Sequence, residues 1–549
     1  DNDMIGNGLI QKELIEEFGR ETINTKPDQT KNTLALVNLN GSHWFNDDVQ
    51  LTANTYYRYS KRKTLNGDIN DNYVGPDTSL CLLNADVNDA EDSCSGALNR
   101  SKTDQKGYGL NTQLAFNQSL FQKQNQFIVG AGYDYSSIKF SQSSEMGLLN
   151  ASRGVDSIGV LSEEADVKLY GKTHSYGLFA TDTLSLNDFW HMTLSGRYNH
   201  IKVENRDKLI PDVTDPASLS GNHSFSRFNP AVGLNFTPTK DLTVYGSYNE
   251  GMRAPTSMEL GCANPAQPCK LPNAMAGDPP LDEVVSKTFE LGSRGKLTSD
   301  IKWSAAVYRT DNHDDIHFIA TNTTNGMGYF DNVGKTRRMG LDLGLLGEVG
   351  KFSWSAGYSY LKATYESNLD LISPVNSTSQ PILGTDCDGL GTPCDGIRVK
   401  KGDRLANLPE HAFKLRLQYE VLPNWTIGTN VNTFSDVYVR GNENNKHRAN
   451  DGLTDDHVQD SGKIGGYTVV NLDTRYKFGN SGWQVFAKAI NIFDKEYSTG
   501  GMLGENWIEN GVFSGGDEPS KMLMPGAPRA GWLGVRYEFG GKKTASNAD

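Results

Sequence analysis

The chain holds 549 residues and six cysteines, with a formal charge of -13 at pH 7, 37% hydrophobic residues and a mean hydropathy of -0.53. That charge excludes a nucleic-acid binder, which needs a basic footprint, and assigns the acid to solvated loops. No apolar run approaches the ~18 residues of a transmembrane helix, yet a transmembrane β-barrel stays open, because only alternate residues of its strands meet lipid. The opening residues at Asp1 lack the basic and apolar segments of a secretory signal.

Taken in order, strand-like segments alternate between two kinds of connection. Asn32–Trp44 turns at Asn46-Asp47 into Val49–Lys61; a long polar loop leads to Gly107–Leu120, which turns tightly into Gln126–Phe140. Lys168–Leu186 and Phe189–Glu204 follow, then Ser224–Phe236 and Leu242–Asn249, then Ser286–Leu297 and Ile301–Ala320. Tyr329–Leu346, Phe352–Tyr365, His411–Val421, Trp425–Arg440, Tyr467–Phe478, Trp483–Tyr497 and Arg529–Phe539 complete the series. The clearest comb is Phe413 to Glu420, where Phe413, Leu415, Leu417 and Tyr419 alternate with Lys414, Arg416, Gln418 and Glu420. Successive side chains of a strand face opposite ways, so each comb is a ribbon with a different solvent on each side.

These segments make about seventeen strands, with tight turns and long loops in strict alternation. In an up-and-down meander this puts all turns at one end and all loops at the other, as in outer-membrane barrels. Lipid forbids an unpaired edge, so the expected architecture is an all-β, closed, antiparallel transmembrane barrel. The odd count conflicts with the even number of bacterial barrels. The first strand also runs toward the tight-turn side, so an ascending strand is expected before it.

The cysteines form three local pairs in the long loops: Cys81/Cys94, Cys262/Cys269 and Cys387/Cys394. Short-range, even-numbered pairing in loops predicts disulfides and an oxidising compartment. No His lies within a pair and no CxxC occurs, which disfavours zinc.

Four segments carry a resemblance. Tyr245-Gly-Ser-Tyr-Asn-Glu-Gly-Met-Arg-Ala-Pro-Thr256, Lys287-Thr-Phe-Glu-Leu-Gly292, Asn332-Val-Gly-Lys-Thr-Arg-Arg-Met-Gly-Leu341 and Asn491-Ile-Phe-Asp-Lys-Glu-Tyr497 stand in this order along the chain. They resemble the strand signatures of TonB-dependent outer-membrane receptors, with Met252 where Phe is usual. The resemblance implies a barrel of twenty-two strands, of the type plugged by an N-terminal domain. About five strands and the plug would then be missing, leaving 1–539 as a partial barrel and 540–549 as a polar periplasmic tail. It also implies the Gram-negative outer membrane, a monomer among lipid and lipopolysaccharide, and a ferric siderophore as cargo. Energy would come from the TonB–ExbB–ExbD complex acting through the absent plug. Tyr537 and Phe539 fit the aromatic ending read by the insertion machinery.

The tests for chemistry come out negative. No GxSxG or HExxH pattern stands out, so no enzyme, cofactor or metal site is expected. Asp68–Asn72 has the look of a calcium loop, but Tyr73 stands where Gly is needed and Ser79 where Glu is needed. No His lies between Pro255 and Asp278, which argues against a haem ligand from that loop. Haem, a cobalamin-like cofactor or a saccharide are the alternatives within the family, and a passive porin-like channel or an outer-membrane enzyme the alternatives outside it. Candidate ligand-vestibule residues are Tyr245, Arg253, Lys270, Lys335, Arg337 and Arg338, with Arg440 and His447 from a late basic loop. Cations suit the oxygens of an iron chelate; the competing reading is rim charge satisfied by loop carboxylates.

Overall fold

The computed structural model describes residues 2–5, 8–70, 73, 81, 93–215, 218–263, 269–270, 281–320, 327–383, 392–449, 456–479, 481–509 and 512–538. One antiparallel sheet of eighteen strands forms a continuous wall. Seventeen of them answer to the expected strands, from Asp28–Trp44 to Ala530–Tyr537, each paired with its successor in the wall. The eighteenth, Asn2–Ile5, pairs antiparallel with Gln29 to Asn32. Among the described residues no register joins Ala530–Tyr537 to the first strands, so the expected closure is not seen and the wall is an open meander.

The tight turns have local causes. Asn46 and Asn187 each accept two backbone N–H bonds through Oδ1, at 2.8–2.9 Å, reversing the chain as an Asx turn. Phe121 and Gln122 both sit at positive φ (52° and 62°), the two-residue hairpin conformation that matches strand twist.

One face of the wall is apolar and uncovered: Leu178, Phe228, Leu291 and Leu533 are each 58–78% exposed. Such a face in water would aggregate; in lipid it is the buried side. The opposite face carries Asn, Gln, Ser, Thr, Gly and charged groups.

Strand ends differ from expectation in one direction. Gly96–Leu120, Lys123–Leu149 and Val155–Ser185 run 25, 27 and 31 residues, while Trp425–Phe434 has 10. A span needs only about 9–11, so the long strands rise well beyond the hydrocarbon at the loop end. There both faces meet water or protein, alternation disappears, and sequence patterning ends too early.

Other expected strands are broken. Ile301–Ala320 divides at Asp314 (φ 53°) into Ile301–His313 and Ile316–Ala320, and Tyr329–Leu346 divides at Gly334 (φ 81°) into Met327–Asn332 and Thr336–Val349. Trp425–Arg440 gives way after Phe434 to a separate short strand, Val437–Tyr438. Trp483–Tyr497 stops at Ile490, because Asn491 (φ 47°) begins a turn. Its side chain accepts from Lys495 N at 2.8 Å and donates to the carbonyls of Lys495 and Ala527 at 3.0 Å. The family-like segment at 491–497 is therefore a turn, not part of a strand.

The buried residues collect in a crown at the loop end. Leu260, Val203, Phe225, Leu281, Val284 and Ile316 form one cluster; Val375, Val437, Val439, Val458, Ile464 and Leu503 another. The short strands Leu369–Ile372, Gln380–Pro381 and Asp395–Val399 make a three-stranded sheet whose Ile397 and Val399 pack on Ala363, Tyr365 and Leu405. A helix at Lys12–Phe18 buries Leu14 with Ile10, Ile69 and Ile508. Cys81 and Cys94 are joined. Cys262 and Cys394 are also disulfide-bonded; the side chains of Cys269 and Cys387 lie outside the described residues.

Candidate functional site

The strand Leu242–Arg253 leads from a tight turn up to the crown and ends where the chain must reverse. Thr256 caps the helix Ser257–Leu260: its Oγ1 accepts from Glu259 N (3.2 Å), while its own N–H donates to Glu259 Oε2 (2.8 Å). The same carboxylate takes both contacts of Arg253 Nη1, at 3.0 and 2.8 Å. Arg253 is thus half-exposed at the crown but tethered by an acid that is already a cap.

Tyr245 lies eight residues lower, roughly 26 Å away along the strand. Its hydroxyl donates to Glu290 (2.8 Å), and Arg294 sits 5.9 Å from its ring. This contact joins two family-like segments across neighbouring strands, near the turn end and far from Arg253.

Lys335, Arg337 and Arg338 separate by face. Asp311 receives Lys335 Nζ at 3.1 Å, Arg337 Nε at 2.6 Å and Arg309 Nη2 at 2.9 Å, and Arg337 also reaches Glu366 at 3.1 Å. Arg338 points to the other face, 3.6 Å from Asp315 and 3.1 Å from the Thr336 hydroxyl. Burial works to raise the Asp315 carboxyl. Hydrogen bonds from His317 and Thr336, with the charges of His317 and Arg338, outweigh that and hold it well below the usual carboxylate range.

In the late basic loop His447 is buried. Nδ1 accepts from Ser377 N (3.0 Å) and Nε2 meets the Asp460 carbonyl (3.0 Å), so the ring holds three loop segments together. Burial pushes its pKa down. Arg440 is exposed and, among the described residues, forms no ion pair. Close by, burial pushes the Glu443 carboxyl up, against the opposing charge of Arg440 and backbone hydrogen bonds at Glu443 and Gly441. Lys270 belongs to a two-residue strand facing Met327, and its side chain is outside the described residues. On the last strand the Tyr537 ring packs against Trp483, tilted by 51° with centroids 4.7 Å apart; Phe539 is outside the described residues.

A cavity of about 680 Å³ on the polar face near the turn end escaped sequence reading. Arg294, Lys296, Lys302, Lys414 and Arg416 line it, with Asn430 and Asn432. Lys296 pairs with Asp241 (3.2 Å) and Arg416 with Asp473, whereas Arg294, Lys302 and Lys414 have no ion pair among the described residues. Lys414 and Arg416 were legible as polar teeth of a comb, but their meeting with Lys302 and Arg294 depends on strand register.

A family model for the TonB dependent receptor-like β-barrel matches residues 13–492. The chain belongs to that family. Among this receptor's relatives, the probable TonB-dependent siderophore receptor PiuA of Acinetobacter baumannii is 23% identical over 427 residues, 72% of this chain and 50% of the relative. The PiuA crystal structure matches with a TM-score of 0.60 at 18% identity, covering 93% of this chain and 64% of that one. The ferric-catecholate import receptor Fiu of E. coli K12, closed form, gives 0.63 at 17% identity, covering 97% and 70%. The copper transporter OprC gives 0.56 at 15%, covering 93% and 66%. The receptor chain spans half or less of the curated relatives it matches.

Proposed function

We propose that the chain is the barrel part of a longer outer-membrane receptor of a Gram-negative bacterium that imports a ferric siderophore and does no bond chemistry. Residues 1–539 make wall and crown, 540–549 a periplasmic tail; a plug and further strands complete the barrel, and TonB–ExbB–ExbD supplies the energy. The observation that carries this reading is the wall itself: a family match over 13–492 on a sheet whose uncovered face is apolar. An open edge in hydrocarbon is untenable, which supports further strands. For the cargo, support comes from relatives described as siderophore or ferric-catecholate receptors. OprC shares the fold and is described as a copper transporter, so the fold does not select the cargo.

Growth of cells with and without the intact gene on a panel of iron sources tests the reading. Loss of growth on one ferric chelate supports it, and indifference to every chelate overturns it. Within the crown, Arg253→Ala in the intact receptor is expected to weaken chelate binding about tenfold, the value of one charge-assisted hydrogen bond. Titration of the purified variant measures this, and unchanged affinity removes Arg253 from the site.

A further inference from the structure

We propose that the cavity on the polar face near the turn end is a second binding station for the cargo, and that the cargo is an anionic chelate whose oxygens this station holds on the way to the periplasm. The inference rests on the import reading above. Strand register builds the cavity from two neighbouring rows. The lower runs Lys296, Lys302, Leu346, Ser355 and Arg416; the upper runs Arg294, Ser304, Gly344, Gly357 and Lys414. Small residues thus make a floor with cations on both banks, Lys302 and Arg416 lying three strand spacings, about 14 Å, apart. A Cβ added at Gly357 would meet only the Leu343 carbonyl oxygen, at 4.0 Å, so the floor is open there. Leu346 is 51% exposed and offers contact to the carbon frame of an organic ligand. Thr243 stands opposite Arg294 and ten residues below Arg253, which puts the cavity roughly 33 Å along the strand from the crown candidate.

Cations outnumber acids in the lining. Lys240, Arg294, Lys296, Lys302, Lys414 and Arg416 line the cavity with a single acid, Asp241, which is held by Lys296 at 3.2 Å. Lys296 and Lys302 stand directly opposite each other in the ladder, where like charges destabilise a sheet. Other acids of this face lie outside the lining. Asp473 takes Arg416, and Glu290 accepts from the Tyr245 hydroxyl at 2.8 Å. Asp342 lies one row above on the strand Thr336–Val349, and Glu348 lies one row below, beside Asp300 at the turn. Among the described residues none of these acids pairs with Arg294, Lys302 or Lys414. Both residues directly across from Lys414, Gly357 and Asn432, are uncharged. An oligoanion set between the banks meets cations on both sides, and a hollow lined mainly by one sign of charge concentrates such a ligand. Reaching both banks takes several oxygens on one frame, which a simple monovalent ion lacks.

The test uses the intact receptor. Purified in mild detergent, it is titrated with sodium tripolyphosphate, with citrate and, as a neutral control, with sorbitol. Wild type is expected to bind both anions and not the polyol. Lys302→Gln/Lys414→Gln is expected to bind the anions on the order of a hundredfold more weakly, with Lys302→Arg/Lys414→Arg restoring binding. Gly357→Leu, which fills the floor and keeps every charge, is expected to weaken binding too. In cells, the ferric chelate that supports growth is followed both as binding to de-energised cells and as uptake rate. The Gln double variant is expected to keep the surface affinity and to lose about tenfold in maximal rate. Equal anion binding by wild type and the Gln variant, or no anion binding by wild type, overturns the proposal. So does unchanged uptake, or a surface affinity that falls in step with uptake. A wild type that binds the anions but takes up no ferric chelate leaves the anion site standing and overturns the import reading, so the two failures are distinguishable.

Discussion

The wall and the crown of this protein are stabilised in opposite ways. The crown has hydrophobic clusters of the kind found in any water-soluble domain, with Leu260, Leu503 and Val439 at 0–1% exposure. The wall has almost none: its large aliphatics point away from the chain, and its inner face is polar. Ordinary side-chain burial therefore holds the loops, while backbone pairing and lipid hold the strands. A chain whose apolar groups were all of the first kind would fold in plain buffer; this one needs two solvents.

Perturbing each region separately breaks or sharpens that contrast. The largest effect is expected in the crown. Leu503→Ala removes a fully buried side chain and should cost about 2–5 kcal/mol of crown stability, with hydrogen exchange rising in 437–464 and staying unchanged in the strands. If exchange rises equally in the wall, crown and wall are one cooperative unit and the contrast fails.

Next comes the wall. Leu291→Arg, on the outer face of Val284–Thr298, should cost about 2–4 kcal/mol at the bilayer midplane, read as lost folding into vesicles. The same substitution tolerated in a bilayer would mean that Leu291 does not meet hydrocarbon.

The smallest effect separates the regions by pH. The Asp315 carboxyl is held below its unfolded value of about 3.9, so the unfolded chain takes up the proton first. The stability it contributes, on the order of 2 kcal/mol, is present above the unfolded pKa and lost as pH falls through the depressed folded one. Acidification below about pH 4 should loosen the crown around 312–317 before the wall, and Asp315→Asn should flatten that dependence. Fluorescence or exchange measured against pH distinguishes the two.

Much of the site stayed hidden because it is made by register. Lys335, Arg337 and Arg338 are adjacent in sequence, yet one residue of offset sends Arg337 to Asp311 and Arg338 to Asp315, on opposite faces. His447 sits in a basic stretch that suggested an exposed cation, but its ring is a buried brace. Tyr245 and Arg253 are both vestibule candidates, yet eight residues of one strand hold them apart.

By itself the sequence determined seventeen of the eighteen wall strands, their order, their tight turns and the apolar side of each. Two solvents on two faces impose a period of two, and Asn-initiated turns leave a local mark. The strand tops, the crown clusters and the pairing of each charge were decided only by tertiary structure. Above the hydrocarbon nothing forces alternation, and a loop side chain finds its partner across hundreds of residues, as Glu13 finds Ser520.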